Sequence, residues 1–205
     1  MKDEQLKSKT LVLFAAAMLA SIVSGCSEQS PGTPTSPTSP TTTGGPTRTT
    51  AADKSAFPEP ELDPKKFADR PCDLLKPAQL AELGEFDAPE PDDGALGPGC
   101  GWGAKDVLKG TRYDVTIYDD GSTIDTIIES VEGSPVVKET EVSGYPAVSY
   151  DITDGKGTCS TAVGTSSVGA ILVQVLNENE ESAEWKDSCG ASEKVAATVI
   201  GNLKG

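Results

Sequence analysis

Cys26 is the residue whose chemistry is most legible in this chain. It follows Val23-Ser24-Gly25, and Val-Ser-Gly-Cys matches the bacterial lipobox, in which a peptidase cuts before a cysteine whose sulfur carries diacylglycerol. Small residues are needed before the cut because the peptidase site is narrow, and Ser24 and Gly25 supply them. Upstream, Lys2, Lys7 and Lys9 make a basic start, and Leu11 to Val23 is an uncharged run of 13 residues. That run is shorter than the roughly 20 residues a spanning helix needs, so it reads as an export signal rather than a permanent anchor. Stable anchoring takes two acyl chains, which a diacylglyceryl group on Cys26 would provide.

Much other chemistry is excluded by composition. The chain contains no histidine, which removes Ser-His-Asp and Cys-His nucleophile systems and every histidine–metal site. No Ser-x-x-Lys occurs, and the glycine-rich run Gly97 to Gly103 lacks the preceding strand and following helix of a phosphate loop. Asp92-Asp93-Gly94, Asp119-Asp120-Gly121 and Asp151 with Asp154-Gly155 could suggest calcium, but none has the ligand spacing of a calcium loop and Asp-Gly is ordinary turn chemistry. Glu178, Glu180 and Glu181 read as a solvated loop. No cofactor, no metal and no catalytic residue are therefore expected.

Removing the first 25 of the 205 residues leaves 180, with net charge −16 instead of −15, because that segment carries three basic and two acidic side chains. Phosphate backbones and anionic head groups repel such a surface, so nucleic acid is not an expected partner. After Cys26, four cysteines remain at 72, 100, 159 and 189. An even number outside the membrane implies two disulfides, while spacings of 28, 59 and 30 fit no zinc pair. Of the three connectivities, Cys72–Cys100 with Cys159–Cys189 is preferred, since the first would pin an N-terminal helix to the first strand and the second a terminal helix to the sheet. Trp102 beside Cys100 reads as core, and Trp185 could cover the second disulfide.

The elements that must position these groups follow from pattern. Ser27 to about Ala56 is Ser, Thr, Pro and Gly with almost no apolar content, which predicts a disordered spacer. From about Phe57 to Gly205 a single domain is expected. A short helix is predicted over Pro77–Leu83, strands over 100–104 and 112–118, and a loop over 87–99. Ser122 is the expected cap of a helix ending at Val131, followed by strands at 136–142, 145–152, 158–164 and 168–176 and a helix over 192–203. This makes an α+β domain, an antiparallel sheet of about five to six strands with flanking helices, covered on one face.

Pro71-Cys72-Asp73-Leu74-Leu75, the helix start Pro77-Ala78-Gln79-Leu80 and Cys100-Gly101-Trp102 resemble an actinobacterial lipoprotein family catalogued as domain of unknown function 3558. The lipobox, the Ser/Thr/Pro spacer and the pair Cys159 and Cys189 are similar to that family too. The resemblance implies an exported, membrane-anchored protein and a fold similar to the Mog1/PsbP group, and it transfers no activity and no catalytic residues. The expectation is a non-enzymatic, monomeric binding module on the outer face of the cytoplasmic membrane, held by the lipid on Cys26. Its partner would be an envelope protein, peptide or wall ligand. A small-molecule carrier with a cavity between sheet and helices is the alternative, and a carboxylate-dependent hydrolase a more distant one.

Overall fold

The computed structural model describes residues 57–205; Cys26, the signal and the spacer lie outside them. Seven antiparallel strands form one sheet: β1 (Glu90–Gly94), β2 (Gly97–Trp102), β3 (Thr111–Ile117), β4 (Val136–Val142), β5 (Tyr145–Asp151), β6 (Thr158–Ser166) and β7 (Gly169–Asn177). Their order across the sheet is β1-β2-β3-β7-β6-β5-β4. The helices are α1 (Pro77–Leu83), α2 (Ile124–Val131), α3 (Ala183–Lys186) and α4 (Ser188–Lys204), preceded by 3-10 turns at Pro64–Phe67 and Pro71–Leu74.

The seventh strand is β1, placed in a loop by the sequence reading. It carries Pro91 and two aspartates, is exposed throughout and pairs only with β2. Proline and charge suit an edge, because a partner strand cannot use a missing N–H and is repelled by carboxylates. At the opposite edge β4 exposes Glu139 and Glu141. The β4–β5 connection is a two-residue turn with Ser143 at φ 53° and Gly144 at φ 88°, the double positive φ that matches the twist of hairpin strands.

Helices cover both faces, not one. Alternation divides the central strands between two cores. Tyr113, Val115 and Ile117 of β3, Ile171, Val173 and Val175 of β7 and Val163 of β6 face α4, where Val195, Val199 and Ile200 fill the interface. Leu62, Leu74, Leu75 and Trp102 close the same core from the N-terminal segment and β2. On the other face Ala170, Leu172, Ala162 and Val148 meet Ile124, Ile127 and Val131 of α2. The cap of α2 is Thr123 rather than Ser122: Thr123 Oγ1 accepts the Thr126 N–H, and Thr126 Oγ1 accepts the Thr123 N–H at 2.9 Å. Ser122 instead donates its N–H to Asp120 at 2.9 Å. The last helix begins earlier than expected because Asp187 caps it, accepting the Gly190 N–H at 3.0 Å.

The disulfides are Cys72–Cys100 and Cys159–Cys189. The first ties the Pro71–Leu74 turn to β2; the second ties the first turn of α4 to β6. A buried hydroxyl row continues the second link. Ser149 Oγ donates to Glu193 at 2.8 Å and lies 2.9 Å from Thr161 Oγ1, which lies 2.6 Å from Ser192 Oγ. Ser192 donates to the Cys189 carbonyl at 2.9 Å, and Lys138 Nζ is 3.2 Å from the same Glu193 oxygen. Every buried hydroxyl in the row thus has a partner, as burial requires. Replacing Cys159 and Cys189 together with alanine opens a loop of sequence separation 30. It is expected to cost about 3–4 kcal/mol in denaturant unfolding; an unchanged midpoint would show that the α4 contacts alone hold the helix.

Candidate functional site

On the α2 face the burial pattern changes partway along the central strands. In β7, Ala170 and Leu172 are buried but Gln174 and Leu176 are exposed. In β6, Ala162 is buried whereas Ser160 and Thr158 are partly open. The row Gly101, Asp114, Gln174, Ser160, Tyr150 crosses five strands in register, and beside it lie Arg112, Leu176 and Thr158. These residues share their face with the α2 core but lie beyond the row that α2 covers.

They line a trough of about 460 Å³, bounded by Arg112, Asp114, Tyr150, Ile152, Thr158, Ser160, Gln174 and Leu176. Two smaller hollows continue it. One of about 250 Å³ shares Arg112 and Leu176 and extends to Val107 and Glu178. The other, about 100 Å³, shares Asp114 and Gln174 and reaches Gly99, Thr116 and Asp92. Large aliphatic side chains line these hollows: Val107 is 66%, Ile152 78% and Leu176 44% exposed, and Leu108, next to Val107 in the chain, is 67% exposed.

Arg112 occupies the centre. Its Nε lies 3.1 and 2.9 Å from the two carboxylate oxygens of Asp114, and its Nη2 donates to Asp114 at 2.7 Å. Nη1 is 3.6 Å from Glu90 on β1. The Asp114 hydrogen bond holds the guanidinium pKa above its ordinary value, against the opposing effect of burial. The group therefore stays charged, and with two carboxylates around one guanidinium the local charge is −1. Gly101 permits this layout: a Cβ there would stand 2.4 Å from Arg112 Nη2 and 2.6 Å from Asp114 Oδ1. The guanidinium lies flat across β2 because glycine leaves the space empty.

Tyr150 lines the trough, and Tyr118 lies beside it in the α2 core. Burial is the main reason that the Tyr118 and Tyr150 hydroxyls are pushed above their ordinary 10.0. Tyr150 also bonds Ser160 and Tyr118, which links the covered and open parts of the face. Asp151, at the end of β5, is buried, which opposes ionisation. Hydrogen bonds from Thr153 and Thr158 outweigh that and lower its pKa.

The sequence candidates fall elsewhere. Cys26 lies outside the described residues. Both disulfides face the α4 core. Asp92 and Asp93 sit on β1, Asp120 and Asp154 accept backbone N–H groups of their own turns, and no group of three or more acidic or cysteine ligands among the described residues could hold a metal. Trp102 is core at 1% exposure. Trp185 is half-buried over the β5–β6 hairpin, where its carbonyl accepts the Gly157 N–H and Lys156 Nζ stands 5.7 Å from its ring. The trough was not anticipated, although the change from Ala162 and Leu172 to Ser160 and Gln174 within otherwise apolar strands is a usable signal.

Residues 21–202 match the family described as protein of unknown function DUF3558. The chain belongs to that family. No curated protein matches this DUF3558 chain, and no solved structure does.

Raised phenol pKa values fix a sign. The folded state holds these protons more tightly than the unfolded chain, so their contribution is complete below the ordinary value of 10.0 and is lost as pH rises above it. The thermal midpoint is expected to fall between pH 9.5 and about 11, and Tyr118→Phe should flatten that fall. An equal slope in wild type and Tyr118→Phe would remove Tyr118 from the account.

Proposed function

We propose that this protein is a lipid-anchored binding module of the cell envelope that presents the open half of its sheet to a partner. The observation that carries this reading is the placement of the trough relative to the chain's entry into the fold. Phe57 packs by Gly164 and its ring centroid lies 6.2 Å from that of Tyr145. Leu62 donates its N–H to the Thr165 carbonyl at 2.7 Å, and Glu61 accepts the Ser167 N–H at 2.9 Å. These contacts lie at the β6–β7 turn and, for Tyr145, at the neighbouring start of β5. Thr158 and Leu176, in the trough, pair at the other end of the same two strands. Seven residues separate Thr158 from Thr165, about 23 Å at 3.3 Å per residue.

Attachment through Cys26 and the Ser/Thr/Pro-rich segment after it would join the domain at the Phe57 pole and leave the trough, at the far end of the strands, unobstructed by the attachment. The four exposed aliphatics and a satisfied polar row suit partner binding, because exposed apolar area rimmed by polar groups marks interaction surfaces. A carrier would need a hollow between sheet and helices. Those interfaces are filled, by Val195, Val199 and Ile200 on one face and by Ile124, Ile127 and Val131 on the other.

Two measurements on the full chain in expressing cells test this. Cys26→Ser is expected to release the protein from the membrane fraction; mature-length protein still held there would overturn the anchor. A photo-cross-linking residue at Gln174 is expected to give a discrete adduct that the same residue at Val168, in the β6–β7 turn, does not give. No adduct at Gln174 would overturn the presenting face.

A further inference from the structure

We infer that the trough takes an extended polypeptide segment in which basic side chains alternate with aliphatic ones, an inference that rests on the binding-module reading above. Charge is the first reason. Residues 57–205 carry 28 acidic and 12 basic side chains, and the trough keeps that sign. Glu90, Asp92, Asp114 and Glu178 stand in or beside it, and its one arginine is already held by Asp114 and Glu90. A phosphate or carboxylate ligand would meet net negative charge; a lysine or arginine side chain would meet unpaired carboxylate oxygens of Asp92 and Glu178 at the edges.

Size and surface are the second reason. The trough crosses β5, β6, β7 and β3 and ends beside the loop after β2, a span of about 15–20 Å at 4.8 Å per strand. That length suits five or six residues of extended chain at about 3.3 Å each. Leu176 lies near the middle, Ile152 at one end and Val107 at the other, so apolar contacts are available at intervals rather than in one socket. Gln174 and Ser160 lie between them and can bond a peptide backbone, with Gln174 Nε2 donating to Ser160 Oγ only at 3.4 Å. A glycan is less well served: Tyr150 is the single aromatic side chain among the trough's lining residues, and sugar rings rely on stacking surfaces.

The test is fluorescence anisotropy with the full chain in detergent. The probes are three labelled octapeptides, alternating lysine with leucine, glutamate with leucine, and lysine with serine. The lysine–leucine peptide is expected to bind, and the other two to bind at least about tenfold more weakly. Leu176→Ser and Asp92→Lys should each weaken it by about tenfold, and Asp92→Lys should also reduce its salt dependence. Glu82→Lys makes the same charge change beside α4, on the opposite face, and should leave binding unchanged. Equal loss in Glu82→Lys, equal binding of the glutamate–leucine peptide, or displacement by a β-1,4-linked N-acetylglucosamine hexasaccharide would each overturn the inference. The Gln174 cross-linker separates the two readings. An adduct there that the lysine–leucine peptide does not suppress overturns the partner class and leaves the presenting face standing; no adduct at all removes both.

Discussion

The constraint on which this molecule turns is a mismatch of lengths. α2 has eight residues and β6 and β7 have nine each. A helix advances about 1.5 Å per residue and a strand about 3.3 Å, so α2, about 12 Å long, is too short to cover strands about 30 Å long. The uncovered remainder cannot be apolar without exposing a large sticky face. The side chains respond row by row: Ala170, Leu172, Ala162 and Val148 under the helix, then Gln174, Ser160 and Asp114 beyond it. Gly101 and the flat Arg112–Asp114 pair belong to the same response, because they cap strand backbone with a charged layer that water can reach.

The opposite face has no such shortfall. α4 has 17 residues, about 25 Å, and the N-terminal segment with α1 fills what it leaves. The polar groups on that face are therefore internal, and their arrangement is more constrained. Ser149 donates to Glu193 and Ser192 donates to the Cys189 carbonyl, which leaves Thr161 one proton for its two hydroxyl neighbours. Such a row, closed by Cys159–Cys189 and by Lys138 at its outer end, fixes the rotation of α4 about its axis more tightly than the apolar stripe of Val195, Val199 and Ile200 could. A sheet held rigidly from behind keeps the rows of the open face in fixed relation.

Sequence reasoning recovered most of the architecture where one physical rule dominated. Alternation in Tyr113, Val115 and Ile117 marked β3, Asp154-Gly155-Lys156-Gly157 and Thr165-Ser166-Ser167 marked the turns on either side of β6, and the cysteine count and spacing marked two bridges. It failed where two rules competed. Pro91 and the Asp92-Asp93-Gly94 run read as loop by propensity, yet an edge strand needs few N–H donors and tolerates charge, so tertiary pairing with β2 prevailed. Thr123 prevailed over Ser122 because it meets Thr126 three residues on, where each hydroxyl accepts the other residue's N–H. The open face was missed for another reason. Gln174 and Ser160 are single polar residues inside strands that read as buried, and only the cross-strand register shows that they fall in one row.

The charge distribution completes the asymmetry. The segment from Cys26 to Ala56 carries two acidic and two basic side chains, while the domain that follows carries all of the net −16. A strongly negative domain is repelled by anionic surfaces. The first described residues meet the β6–β7 turn and the start of β5, where Lys204 Nζ lies 4.9 Å from the Tyr145 ring centroid and Tyr145 itself donates to the Pro60 carbonyl. The acidic trough is at the other end of the strands. The carboxylates of Asp114 and Glu178 therefore stand at the strand ends farthest from the Phe57 contacts, and that end of the sheet repels anionic groups.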